Sequence, residues 1–374
     1  MRDGSQIGET LAAVCRQFRL PGELTGYRLL PGGHINMTCS AALSNGRETR
    51  TYLVQRVNRY VFQDPVGLMR NIDRITGHIL DKESAAEGPG TLRYYRTAAG
   101  DNYAILGRGE GAELWRVCDY IENAVSFEAG EGDDRVLRGA GKGFGRFLRQ
   151  LRDFDPSRLA ETIPHFHDTP YRMKAFFQSV TEDPLGRAKG AQREIERIRT
   201  AGGFAGALRD RLDRGGLPVR VTHNDAKTSN ILFDQDTLEP LAVIDLDTCM
   251  PGLVCYDFGD LIRFAACRAE ENAGYRLDLS RFRACAQGYL SETADFLTRA
   301  ELDSLAAGAA AVTLELASRF LGDYLMGDRY FQINYPAHNL DRARRQLELY
   351  QDMMLRMEDM EEILQEVILC NSNQ

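Results

Sequence analysis

Val221-Thr222-His223-Asn224-Asp225-Ala226-Lys227-Thr228-Ser229-Asn230 is followed, after twelve intervening residues, by Val243-Ile244-Asp245-Leu246-Asp247. The pattern is H-x-D-x-x-x-x-N, then apolar residues ending in an aspartate fifteen positions beyond the asparagine. Phosphoryl transfer from a nucleotide needs a carboxylate to orient and deprotonate the attacking hydroxyl, and oxygen ligands to hold Mg2+ on the phosphates. Asp225 suits the first role, and Asn230 with Asp245 the second. A lone H-x-D is weak, but the spaced asparagine and the strand-end aspartate sharpen it. The bland alternative is a polar turn capping a buried strand, with Asp225 and Asn230 satisfying loop amides. Asp247 reads equally as a strand-end cap or a site residue.

Composition frames this reading. A chain of 374 residues exceeds what one compact core usually holds, so two lobes are expected. A formal net charge of −8 argues against a nucleic-acid partner, which would need a basic face. Eight cysteines without a C-x-x-C pair argue against a zinc ribbon or a redox dithiol. The first residues lack an apolar signal core and no run approaches membrane-spanning length, so a reducing cytoplasm and no membrane partner are expected.

Periodicity predicts an α+β, protein-kinase-like two-lobe fold: a small antiparallel β N-lobe over residues 1–121 and a larger, mainly helical C-lobe over 122–374. A helix is expected over Gln6–Phe18, then strands at 27–30, 35–43, 51–57, 92–96, 103–106 and 115–121. Ser44-Asn45-Gly46 reads as a hairpin turn, and so does Ala98-Ala99-Gly100-Asp101. A long helix, 65–80, is inserted after the third strand. Helical spacing recurs at 138–151, 171–180, 188–199, 277–295, 300–327 and 337–369. Beyond 150 the convincing strands are 219–222, 231–233 and 241–244, which bracket the motif. Ala201-Gly202-Gly203 and Gly215-Gly216 read as loop breakers.

Pro31-Gly32-Gly33-His34-Ile35-Asn36 joins the first two strands, where paired glycines let backbone amides approach phosphate oxygens. His34 and Asn36 would face phosphate or acceptor, or be solvated turn residues. On the third strand, Gln55 stands where a lysine for the α- and β-phosphates is expected, with Arg56 on the opposite face. Three explanations stay open: Gln55 uses its amide, another cation compensates, or nucleotide binding is weak. The inserted helix has no glutamate to pair with such a lysine; Asp73 is the nearest acid and reads as a surface charge.

The His223–Asn230 segment with Asp245 resembles the aminoglycoside phosphotransferase and choline kinase superfamily. Longer runs are similar to its N-acetylhexosamine 1-kinase branch: Gly33-His34-Ile35-Asn36, Leu53-Val54-Gln55-Arg56-Val57-Asn58, Ile244-Asp245-Leu246-Asp247-Thr248, Tyr256-Asp257-Phe258-Gly259-Asp260 and Arg319-Phe320-Leu321. The resemblance spans about residues 30–350. It implies ATP- and Mg2+-dependent phosphorylation of the anomeric hydroxyl of N-acetylglucosamine or N-acetylgalactosamine. It makes Asp225 the base, Asn230 and Asp245 the metal ligands, and His34, Asp245, Phe264, Arg319 and Tyr330 the sugar pocket. Nucleotide contacts would come from Gly32, Gly33, Gln55 and the hinge at Tyr120 and Glu122. The implied partners are a small sugar and a nucleotide. That branch also carries a Gln-Arg pair on the third strand.

Competing readings are a kinase of choline, homoserine or an aminoglycoside, whose cationic acceptors call for an acidic pocket, and a non-catalytic nucleotide-binding protein. Without the likeness, Arg319 is a surface cation or a helix ion pair. His165-Phe166-His167 sets two imidazoles on one side of an extended segment, without a third ligand nearby in sequence. Asp257, in Tyr-Asp-Phe-Gly-Asp, reads as a helix-start acid buttressing the catalytic loop. Residues 350–366 read as part of an amphipathic terminal helix.

Overall fold

The computed structural model describes residues 4–30, 36–82, 90–270 and 274–372. Helix α1 (Gly4–Cys15) leads into β1 (Glu23–Leu29), β2 (Met37–Ser44), β3 (Thr49–Arg56), helix α2 (Pro65–Leu80), β4 (Ala104–Leu106) and β5 (Glu113–Asp119). The five strands form one antiparallel sheet in the order β1-β2-β3-β5-β4. The turn at Asn45-Gly46 closes the β2–β3 hairpin, with Ser44 opposite Thr49. Buried Leu11, Val14, Cys39, Tyr52, Val54, Trp115 and Val117 pack α1 against the sheet. Helix α2 is capped by Asp64, which accepts from the Gly67 amide, and buries Leu68, Met69, Ile72, Ile75 and Ile79.

The rest is mainly helical. It runs through β6 (Ala124–Val125), α3 (Asp134–Gln150), α4 (Thr169–Glu182), α5 (Gln192–Ala205), α6 (Ala207–Asp213), β7 (Arg220–Thr222), β8 (Ile231–Asp234), β9 (Pro240–Val243) and β10 (Met250–Gly252). Then follow α7 (Val254–Ala265), β11 (Cys267–Glu270), β12 (Gly274–Leu277), α8 (Leu279–Thr293), α9 (Arg299–Leu302), α10 (Leu305–Leu325), α11 (His338–Leu355) and α12 (Met357–Ser372). The expected architecture, an antiparallel sheet followed by a mostly helical part, is the one observed. Helices α3 and α8 cross closely enough that a Cβ on Gly141 or Gly288 would strike the partner's backbone.

Several expectations need correction. Residues 92–96 are not a strand: Tyr94 makes a single bridge to Cys118, with the Tyr95 amide donating to Val117 and the Asp119 amide to Arg93, and Thr97 makes a single bridge to Phe18, so the pairing is too short to form one. Ala201, Gly202 and Gly203 do not break the chain but sit in the last turns of α5, where glycine costs least. Strands β6, β10, β11 and β12 and helix α6 escaped notice because each is too short to show a period. The terminal helix is two helices, α11 and α12, parted at Arg356. Helix α10, 21 residues long, is long and apolar enough to cross a membrane, contrary to the sequence reading. Its apolar length is explained by burial among the other helices, with Ala309, Ala310, Leu314, Ala317 and Leu321 fully enclosed. All eight cysteines are free thiols, with Cys370 the exposed one.

Candidate functional site

Strand β7 delivers His223 and Asn224 to the buried floor of the site. Asn224 takes a left-handed backbone with φ of 62°, which asparagine tolerates better than most residues. Its side chain is fully engaged: the amide nitrogen donates to the Thr222 and Thr248 carbonyls and the oxygen accepts from the Thr222 hydroxyl. Asp257, in the first turn of α7, accepts the backbone N–H groups of His223 (2.6 Å) and Asn224 (2.7 Å). The buttressing acid expected from sequence is therefore in place. His223 donates from Nε2 to the Ile244 carbonyl at 2.9 Å, and the rings of Phe144 and Phe147 pack against it edge-on.

Asp225 follows, its side chain 30% exposed. Lys227 donates to Oδ2 at 2.8 Å, and the Asn230 amide donates to the same oxygen at 3.1 Å and to the Asp225 carbonyl at 2.9 Å. Burial pushes the Asp225 carboxyl up, but the Lys227 charge and these hydrogen bonds outweigh it and hold it below the usual carboxylate value. The same partnership raises Lys227.

Asp245 lies nearby, in the same electrostatic cluster. Two residues past the end of β9, it takes a left-handed conformation with φ of 60°, which turns the chain off the strand path. The β8–β9 hairpin pairs Ile231 with Val243, and the Ile244 amide donates to the Asn230 carbonyl at 2.9 Å. Asn230, bonded to Asp225 through its side chain, is thus bonded to the strand end carrying Asp245 through its backbone. Burial, then the charges of Asp247 and Asp225, push the Asp245 carboxyl up to about 6. A carboxylate cluster lifted in this way fits a divalent cation, whose charge would relieve the repulsion. Among the described residues no three His, Cys, Asp or Glu side chains form a metal cage. An ion held by one carboxylate, one amide oxygen and phosphates needs none.

Gln55 is not free to act as a cation substitute. Its amide donates to Thr38 at 3.1 Å, and its oxygen accepts from Arg116 Nε at 2.9 Å. Arg116 lies directly opposite Gln55 in the β3–β5 pairing. Its guanidinium is buried against Tyr94 and ion-paired to Asp247. Asp247 also accepts from Asn36 at 2.6 Å, and Asn36 in turn accepts from the Asn58 amide. The cation nearest the expected lysine position therefore comes from β5. Sequence reasoning missed Arg116 and Lys227; Lys227 stood inside the motif, two residues past Asp225, and could have been found there.

The other sequence-predicted residues fall into groups. Gly32, Gly33 and His34 lie outside the described residues. Tyr120 and Glu122 lie in the connection after β5, half-buried and exposed. Phe264 sits late in α7 under the Arg263 guanidinium, which pairs with Asp260. Arg319, on α10, lies over the rings of Phe166, Tyr330 and Phe331 at 5.1, 5.8 and 5.6 Å. Among the described residues it has no carboxylate partner, so it is not a helix ion pair, and it is half-buried rather than fully exposed. Tyr330 is 57% exposed, with its backbone amide held by Asp323. Arg319 and Tyr330 come together, while Phe264 packs under Arg263 instead. Asp73 pairs with Arg96 at the surface, as expected. His165 and His167 have separate carboxylate partners, Asp168 and Glu315.

A family model described as "Phosphotransferase enzyme family" (APH) matches residues 41–290, and the chain belongs to that family. Among solved structures it is similar to a microcompartment-associated aminopropanol kinase, with a TM-score of 0.62 and 14% identity, covering 96% of this chain and 99% of that one. It is also similar to an amicoumacin kinase bound to AMP-PNP and Ca2+, with a TM-score of 0.58 and 13% identity over 93% of each chain. A spectinomycin phosphotransferase bound to ADP and spectinomycin matches with a TM-score of 0.55 and 12% identity, covering 100% and 99%. At such identities the likeness is one of fold.

Proposed function

We propose that this phosphotransferase moves the γ-phosphoryl group of ATP to the anomeric hydroxyl of an N-acetylhexosamine, giving the sugar 1-phosphate. Asp225 is the base, and Asn230 and Asp245 hold Mg2+, which would neutralise charge on the transferring phosphoryl. Asp225, kept ionised by Lys227 and Asn230, orients the acceptor hydroxyl and takes its proton late in a loose transition state. Such positioned proton transfer typically contributes ~10²–10⁴-fold. A carboxylate below its usual pKa is a weak base, and an anomeric hydroxyl, more acidic than an ordinary alcohol, suits it. Gly32, Gly33 and Gln55 would flank the phosphates, and the Tyr120–Glu122 connection the adenine.

The acceptor assignment rests on Arg319. A guanidinium without a carboxylate partner among the described residues, set among Phe166, Tyr330 and Phe331, favours a neutral sugar bearing a carbonyl acceptor and disfavours a cationic amine. His34, Phe264 and Tyr330 complete the proposed pocket. The test is incubation with MgATP and, separately, N-acetylglucosamine, N-acetylgalactosamine, choline, homoserine and an aminoglycoside, reading ADP and the phosphorylated product. Turnover with an N-acetylhexosamine to an anomeric phosphate is expected. Turnover confined to the amines, or none despite nucleotide binding, contradicts the proposal.

A further inference from the structure

His167 is a buried imidazole that the phosphotransfer chemistry does not use. It lies just before α4, with its side chain 9% exposed. Its Nδ1 is 3.1 Å from Oε1 of Glu315, a residue of α10 whose side chain is 1% exposed. Its Nε2 is 3.4 Å from the carbonyl oxygen of Asn224. The ring stacks on Tyr256 at 5.2 Å and is edged by Phe166 at 4.7 Å.

Both ring nitrogens face acceptors. A backbone carbonyl only accepts. Glu315 takes a hydrogen bond from the Thr169 hydroxyl on its second oxygen, at 3.1 Å, as an ionised carboxylate does. A neutral imidazole has one N–H and would leave one of these pairs as two facing acceptors, which is costly where water is excluded. A doubly protonated ring satisfies both. The charged surroundings are mixed. Glu315 and Asp260 favour the cation, while burial and Arg319 oppose it, and the balance lies above the ordinary histidine value. Arg172, from α4, lies beside Arg319 and Glu315 in the same cluster.

The carbonyl that His167 reaches belongs to the peptide joining Asn224 to Asp225. The amide on the other side of Asn224 is held by Asp257. The left-handed residue that aims Asp225 is thus gripped at both ends, by an anion on its N–H and by a ring N–H on its carbonyl.

We propose that His167, held as an imidazolium by Glu315, is a positioning residue that fixes the Asn224–Asp225 peptide and so aims the catalytic carboxylate. The proposal rests on Asp225 being the base of the phosphotransfer reaction. The ring acts only while its Nε2 carries a proton. Turnover should therefore fall as pH rises through the His167 titration, with little change in KM for ATP.

The test is a pH profile of kcat and KM for wild type, Glu315→Gln and His167→Gln. The glutamine in His167→Gln keeps a donor near the Nε2 position and cannot titrate. Three results are expected: a fall in wild-type kcat on the alkaline side, its displacement to lower pH by about one pH unit, a ~10-fold change in proton affinity, in Glu315→Gln, and its absence in a partly active His167→Gln. A fall that persists in His167→Gln, or one unmoved in Glu315→Gln, overturns the proposal. Should either variant fail to fold, 15N NMR of the wild-type imidazole at neutral pH decides: two protonated nitrogens support it, one overturns it. The NMR result does not depend on turnover. An imidazolium found alongside an active Asp225→Asn enzyme would reject the base assignment rather than the protonation state.

Discussion

Arg116 and Asp247 form a buried ion pair between the antiparallel sheet and the helical part, with side-chain exposures of 1% and 3%. Asp247 is two residues past Asp245, and its other oxygen accepts from Asn36, just beyond the glycine-bearing connection of β1 and β2. One carboxylate thus links the sheet, Asn36 and the segment carrying Asp245. Removing one partner strands a charge where water cannot reach it. Arg116→Met and Asp247→Leu should each cost ~3–5 kcal/mol in denaturant unfolding, and the double variant combining them should cost less than the sum. Equal, additive losses would show that the two side chains act independently.

Asp245 should trade stability for function. Its folded value, about 6, lies above the ordinary carboxylate value. The native state therefore binds the proton more tightly than the unfolded chain, and stability falls as pH rises between those two values. Asp245→Asn removes the repulsion. Metal-free Asp245→Asn should be about 1–3 kcal/mol more stable than wild type at pH 7 and gain little below about pH 4. It should also be inactive, and Mg2+ with nucleotide should raise its melting temperature less than that of wild type. Thermal melts at the two pH values check the sign.

Asp257 holds two buried N–H groups of the catalytic loop. Asp257→Ala leaves both unpaired, at ~1–3 kcal/mol each. A large loss of stability together with a fall in kcat is expected. A variant with wild-type melting and turnover would show that the loop is held by other means.

Arg319→Met keeps the aliphatic packing and removes the guanidinium. KM for the acceptor should rise about tenfold or more, matching the loss of a ~1.5–3 kcal/mol charged hydrogen bond, while KM for ATP stays put. An unchanged acceptor KM would place the acceptor elsewhere.

The catalytic loop was legible because its residues are close in sequence and their types are tied to one chemistry. Asp225 and Asn230 bond to each other, the Ile244 amide ties Asn230 to the turn that carries Asp245, and Asp257 buttresses the loop as its place at a helix start suggested. Arg116 was not legible. It reaches Gln55 only through the β3–β5 register and meets Asp247 from 131 positions away, information a single sequence does not carry. The His167–Glu315 pair is hidden for the same reason, since 148 positions separate the partners. At 92–96 the apolar and aromatic residues suited a strand and do bond to β5 beyond β4, but only through the single bridge of Tyr94 to Cys118. The paired glycines at 202–203 looked like a break, yet α5 runs on through them to Ala205.

The most direct test of the central claim is the steady-state kinetics of Asp225→Asn alongside its nucleotide affinity. The expected result is a kcat lower by at least ~10²–10⁴-fold with nucleotide binding close to wild type. An Asp225→Asn enzyme that turns over at the wild-type rate would contradict the assignment of Asp225 as the base around which the site is built.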